Sequence, residues 1–129
     1  MAQFAANTAA LLRAIDSRPA HVVSISLGGM VALQLALDTP EMVRSLCVVN
    51  SVPEVSVRTL RQHSEMALRM VITRVLGMRA MAAFVAAKIF PEPENAHFRR
   101  EMAALWSQND RRAYAAASRV LPGWSVLNR

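Results

Sequence analysis

Phe4, Thr8, Leu11, Leu12 and Ile15 recur at i, i+4, i+7, i+8 and i+11. That spacing lays one apolar stripe along a helix, which Asp16-Ser17-Arg18-Pro19 then stops. Residues 21–25 form a compact β-rich run bounded by this turn and by Gly28-Gly29, and predict a buried strand. Residues 28–38 predict a helix apolar on nearly all sides, with Gln34 its one polar residue before the end. Such a helix must be covered all round. Thr39-Pro40 ends it, because a residue preceding proline is pushed out of the helical region. Residues 43–49 (VRSLCVV) read as a second strand, so strand, helix and strand form a right-handed crossover in a parallel sheet. From Val55 the period is helical throughout, with helices expected near 55–78, 79–89, 94–108 and 110–120. Phe90-Pro91-Glu92-Pro93-Glu94 is the clear linker, and Asn109-Asp110 suits the N-cap of the helix containing Tyr114. The expected organisation is an α/β portion over residues 1–54 and an all-helical portion over residues 55–129.

Composition narrows this picture. The 129 residues suit one domain or part of one, and 53% apolar against 19% charged residues excludes a disordered or collagen-like chain. A single cysteine, Cys47, cannot form an internal disulfide, so a reducing, cytoplasmic setting is expected. Cys47 itself reads as a small core residue. The net charge of +6 is uneven: residues 1–54 carry 3 basic and 4 acidic groups, residues 55–129 carry 12 and 5. Fourteen of the 15 basic residues are arginine, set among Met, Ala and Leu at helical spacing. Without a Gly-aromatic or Lys-rich tract to follow a phosphate backbone, no nucleic-acid partner is expected. Arg99-Arg100 and Arg111-Arg112 read as solvated faces rather than as an anion site. Residues 19–37 are uncharged and long enough to span a bilayer, but His21, Ser24, Ser26, Gly28, Gly29 and Gln34 argue for two short buried elements. Neither a membrane association nor a targeting segment is expected.

The chemically informative segment is Ser24-Ile25-Ser26-Leu27-Gly28-Gly29, between the predicted strand and the predicted buried helix. A serine at so sharp a turn is forced into a strained backbone conformation that lifts its hydroxyl above the sheet, at the positive end of the next helix. Gly28 is expected to let the turn close without a Cβ clash, and the small Ser24 to let helix and strand pack. These residues, with the run HVVSISLGGMVALQLALDTPEMVRSLCVVNSVPE, resemble the nucleophile strand, nucleophile helix and following strand of the α/β-hydrolase family. The resemblance implies a partial α/β-hydrolase fold, two parallel strands with a crossover helix, followed by a helical cap. It implies Ser26 as nucleophile, the Leu27 backbone N–H as an oxyanion-hole donor, a small-molecule ester-like substrate and no cofactor.

A serine hydroxyl also needs a histidine base held by a carboxylate, which the family places after the cap. On that pattern the chain resembles a central slice of a hydrolase, with little turnover expected alone. His21 lies at the buried start of its strand, at the end opposite Ser26. His63 and His97 fall in cap helices, and Glu54 sits where a minority of the family places its acid. Met66, Met70, Met78 and Met81 read as adaptable core, with an acyl-binding lining as the lesser alternative, and Trp106 and Trp124 as anchors of helix packing. The alternative to catalysis is a noncatalytic interaction module, whose unpaired strand edges self-associate or bind a complementary fragment.

Overall fold

The computed structural model describes residues 1–129, which divide into two compact units: Met1–Ser56 with Val120–Arg129, and Val57–Arg119. The first is built from α1 (Ala2–Ala14), β1 (Ala20–Ile25), α2 (Leu27–Asp38), a 3-10 turn at Pro40–Met42, and β2 (Val43–Val49). The two strands pair in parallel with Val22 opposite Leu46 and Ile25 opposite Val49. Both strands and both helices stand where the hydrophobic pattern puts them.

The stripe on α1 is the exception in detail. Its buried positions are Ala5 and Ala9, which pack with Leu35 and Met42, while Phe4, Leu11 and Ile15 are exposed. Small residues win this face because two helices approach closely only where side chains are short, and Leu12 completes the contact at i+7 from Ala5. α2 behaves as an all-apolar helix should, with Gly29, Met30, Ala32, Gln34 and Leu35 buried.

One face of the sheet carries no helix. Along β1, half-buried Val22 and Ser24 alternate with exposed His21, Val23 and Ile25. Cys47 is exposed on the same open face, opposite Val23, and so is not the core residue its apolar strand suggests. His21 is likewise exposed rather than buried. An apolar run reads as covered on both sides, but here helices lie against one side only.

The last ten residues rejoin the first unit. The Val55 N–H donates to Trp124 O at 2.8 Å, Gly123 N–H to Val55 O at 3.0 Å and Val126 N–H to Pro53 O at 2.9 Å. One antiparallel bridge, Glu54 to Ser125, results. Trp124 lies in this non-helical segment and ties it to α2, its Nε1 donating to Gln34 Oε1 at 2.9 Å. Gln34 Nε2 donates to Asp38 Oδ2 at 2.8 Å, and Arg129 pairs with Asp38 Oδ1 at 2.8 Å.

The second unit is helical: α3 (Leu60–Val75), α4 (Gly77–Ile89), α5 (Ala96–Trp106) and α6 (Arg111–Arg119). α3 begins later than residue 55 because Thr59 and Gln62 form a reciprocal capping box there. Gly77, at φ +80°, opens α4 directly after α3 ends at Val75 with Leu76 as its C-cap. Met78, Met81 and Val85 make the core, with Ile72, Phe84, Met102, Trp106 and Tyr114 packed around them. Two of the four methionines of the cluster are therefore core, and Trp106 packs against them as the helix anchor expected of it. No helix in either unit is long and apolar enough to cross a membrane.

Candidate active site

Ser26 stands alone between the end of β1 and the start of α2, at φ 53° and ψ −122°. A non-glycine residue in this region costs about 1–3 kcal/mol, and it persists only where surrounding contacts over-determine it. Those contacts are present. The Ser26 N–H donates to Val49 O at 3.1 Å, continuing the parallel ladder one step past β1. Its carbonyl accepts from Ser51 Oγ at 2.7 Å and from the Gly29 N–H at 2.9 Å. The backbone is clamped on both sides, whereas the side chain caps nothing and the residue is exposed.

Gly29, rather than Gly28, is the glycine the bend requires. A Cβ at Gly29 would overlap Ser51 Cβ, lie 2.6 Å from Ser51 Oγ and 3.0 Å from Val48 Cγ1. At Gly28 a Cβ would meet nothing within 4 Å. The close approach lies between the first turn of α2 and the loop leaving β2, which a reading confined to the bend itself does not reach. Ser24 fits the small position expected of it, and its Oγ donates to Cys47 O at 3.2 Å.

Leu27 is the first residue of α2, so its N–H belongs to the four that a helix leaves without an internal acceptor. With the positive end of the helix dipole behind it, this N–H is suited to hold developing negative charge beside Ser26. An open apolar trough of about 490 Å³ adjoins the bend, lined by Phe4 and Thr8 of α1, the 22–25 segment of β1, and Gly28 and Val31 of α2. It follows the edge of β1 that has no strand beside it.

No histidine of the first unit stands beside Ser26. The length of β1, about 16 Å at 3.3 Å per residue, separates it from His21, whose Nδ1 lies 2.7 Å from Ser45 Oγ. His63 and His97 belong to the second unit, where His63 Nδ1 meets Thr59 O at 2.9 Å and His97 stacks on Phe98 at 3.8 Å. Glu54 is half-buried at the bridge to Ser125. One feature that local pattern reading misses is Ser51, whose hydroxyl holds the strained carbonyl; its only sequence signal is its place just after an apolar strand.

A family model described as the alpha/beta hydrolase fold matches residues 1–124. The protein named "Putative carbamate hydrolase RutD" from Serratia proteamaculans (strain 568) is 43% identical over 61 residues. That match covers 47% of this chain and 23% of the relative's own length. No solved structure matches. With 124 of its 129 residues matched, and a serine at positive φ where a parallel strand turns into a buried helix, this chain belongs to the alpha/beta hydrolase family.

Proposed function

We propose that Ser26 is the nucleophile of an acyl hydrolase, attacking the carbonyl carbon of an ester or of a carbamate-like bond. Its Oγ would add to the carbonyl carbon as its proton passes to a base, the alcohol or amine would leave as the acyl-enzyme forms, and water would then release the acid, with the Leu27 N–H stabilising the oxyanion in both steps. The observation that carries this reading is the strained, clamped backbone at Ser26 with its hydroxyl uncommitted. The carbamate alternative enters through the relative's name, since a carbamate carbonyl is open to the same attack. The helical unit corresponds in chain order to the cap of the family.

Ser26 without a base is a weak nucleophile at neutral pH, and losing a triad member costs about four or more powers of ten in rate. The chain alone is therefore expected to turn over slowly, since no histidine base stands beside Ser26 in its own unit. A fluorophosphonate probe tests the assignment, because it reports covalent reaction at the serine itself, at whatever slow rate the strained bend and the Leu27 N–H alone support, and needs no knowledge of the substrate. Labelling above the Ser26→Ala background is expected, and labelling equal in both proteins would overturn it.

A second reading is supported by a different observation. β1 has one unpaired edge, and Val23 and Ile25 on the open face are 76% and 64% exposed. Parallel sheets are ordinarily buried on both faces, so this surface favours association with a complementary chain or a second copy. Saturable binding of such a partner with no labelling at Ser26 would favour a noncatalytic module over the hydrolase.

A further inference from the structure

The +6 charge of the chain is confined to one unit. Val57–Arg119 contains eleven Lys and Arg against five Asp and Glu, while the first unit holds four of each. Within the second unit, Arg74, Arg111, Arg112 and Arg119 line a pocket of about 250 Å³ whose other walls are Thr73 and Ala115. No carboxylate lines it. Arg112, Ala115 and Arg119 fall at i, i+3 and i+7 of α6, so a small residue forms the floor between two guanidinium stems. Arg74 comes from the last turn of α3, and Arg111 Nη1 lies 3.4 Å from Arg74 O, holding the two helices in register.

All four arginines are exposed, and together they rim this concavity. Four like charges converge on a concavity, and two of them, Arg111 and Arg112, open α6 at the positive end of its dipole, where cations are disfavoured. Asp110, just before Arg111, is engaged as the helix cap, its Oδ1 accepting from the Ala113 N–H at 2.7 Å, and it does not line the pocket. Thr73 is fully buried and its hydroxyl donates to Arg69 O at 2.7 Å, so the guanidiniums are the donors the pocket offers. Guanidinium forks match the paired oxygens of phosphate groups.

We propose that this pocket is a binding site for a small molecule bearing a phosphate or diphosphate group. Along α6, Arg112 and Arg119 lie about 10 Å apart, which suits a multiply charged anion better than a single atomic ion. A nucleic acid strand is the less favoured occupant, because no aromatic side chain lines the pocket to stack a base.

Calorimetric titration of the full chain with inorganic pyrophosphate at fixed ionic strength tests the site. Saturable binding at one site is expected, weakened about tenfold or more in R112Q/R119Q. The double variant R99Q/R100Q removes the same charge from α5 and is expected to bind as the parent does. Absence of saturable binding would overturn the proposal, as would equal weakening in both double variants, which would mark a net-charge effect. Tighter, R112-dependent binding of a single-stranded RNA, with a steep fall in affinity as salt rises, would also overturn it.

Discussion

At Gly29 a single hydrogen in place of a methyl group lets α2 reach the loop after β2, and that approach carries Ser51 to the Ser26 carbonyl. Gly29→Ala would force Ser51 and Val48 to move, at the roughly 1–3 kcal/mol typical of overpacking. The expected result is a lower urea midpoint together with a loss of probe labelling at Ser26, whereas Gly28→Ala, entering open space, should change both little. The two substitutions differ by one position, and equal effects on the denaturation curve would refute the assignment. The serine at the bend is legible from six consecutive residues, because strain at a strand-to-helix turn is a local matter. Ser51 is 25 residues away and was not legible, because nothing local distinguishes the serine that returns to the bend.

At the scale of elements, the hydrophobic period located all eight helices and strands, and its errors were at ends and faces. The helical pattern reads back to Val55, past Thr59, but a helix begins where its first N–H groups find acceptors. The Thr59 hydroxyl accepts from the Gln62 N–H at 3.2 Å, and Gln62 Oε1 accepts from the Thr59 N–H at 3.0 Å. Thr59→Ala removes one half of this box and should lower stability by about 0.5–2 kcal/mol, with helical signal lost from the start of α3 by amide hydrogen exchange. Unchanged protection at residues 60–63 would contradict that role. On α1 the larger side chains drew the stripe, whereas the packed face belongs to Ala5 and Ala9. Periodicity weighs apolar bulk, while a close helix pair selects for its absence.

Across the whole molecule, the contacts that decide the architecture join residues remote in sequence. Trp124 to Gln34 spans 90 positions, and with Asp38 and Arg129 it forms a polar chain that fastens the C-terminal segment to α2 within the first unit. The Gln34 hydrogen bond, followed by Arg129, holds the Asp38 carboxyl below the ordinary aspartate range. The unfolded chain therefore takes up a proton at Asp38 more readily than the folded one, and the stabilisation is complete above the unfolded value of 3.8 and lost as pH falls through the lower folded value. Asp38→Asn should flatten that acid limb in a stability-versus-pH series while the parent loses stability there. An identical slope in both would exclude Asp38 as its source.

The linear pattern by itself determined the order of elements, the parallel crossover, the buried α2 and the serine at its entrance, since each rests on periodicity or on steric limits acting over a few neighbouring residues. The tertiary structure decided the glycine that admits the bend, the exposed face bearing Cys47, the return of the C-terminal segment to α2 and the meeting of Arg74 with the arginines of α6. Those outcomes depend on which surfaces come together after the elements form, and close approach between distant residues leaves no periodic mark along the chain.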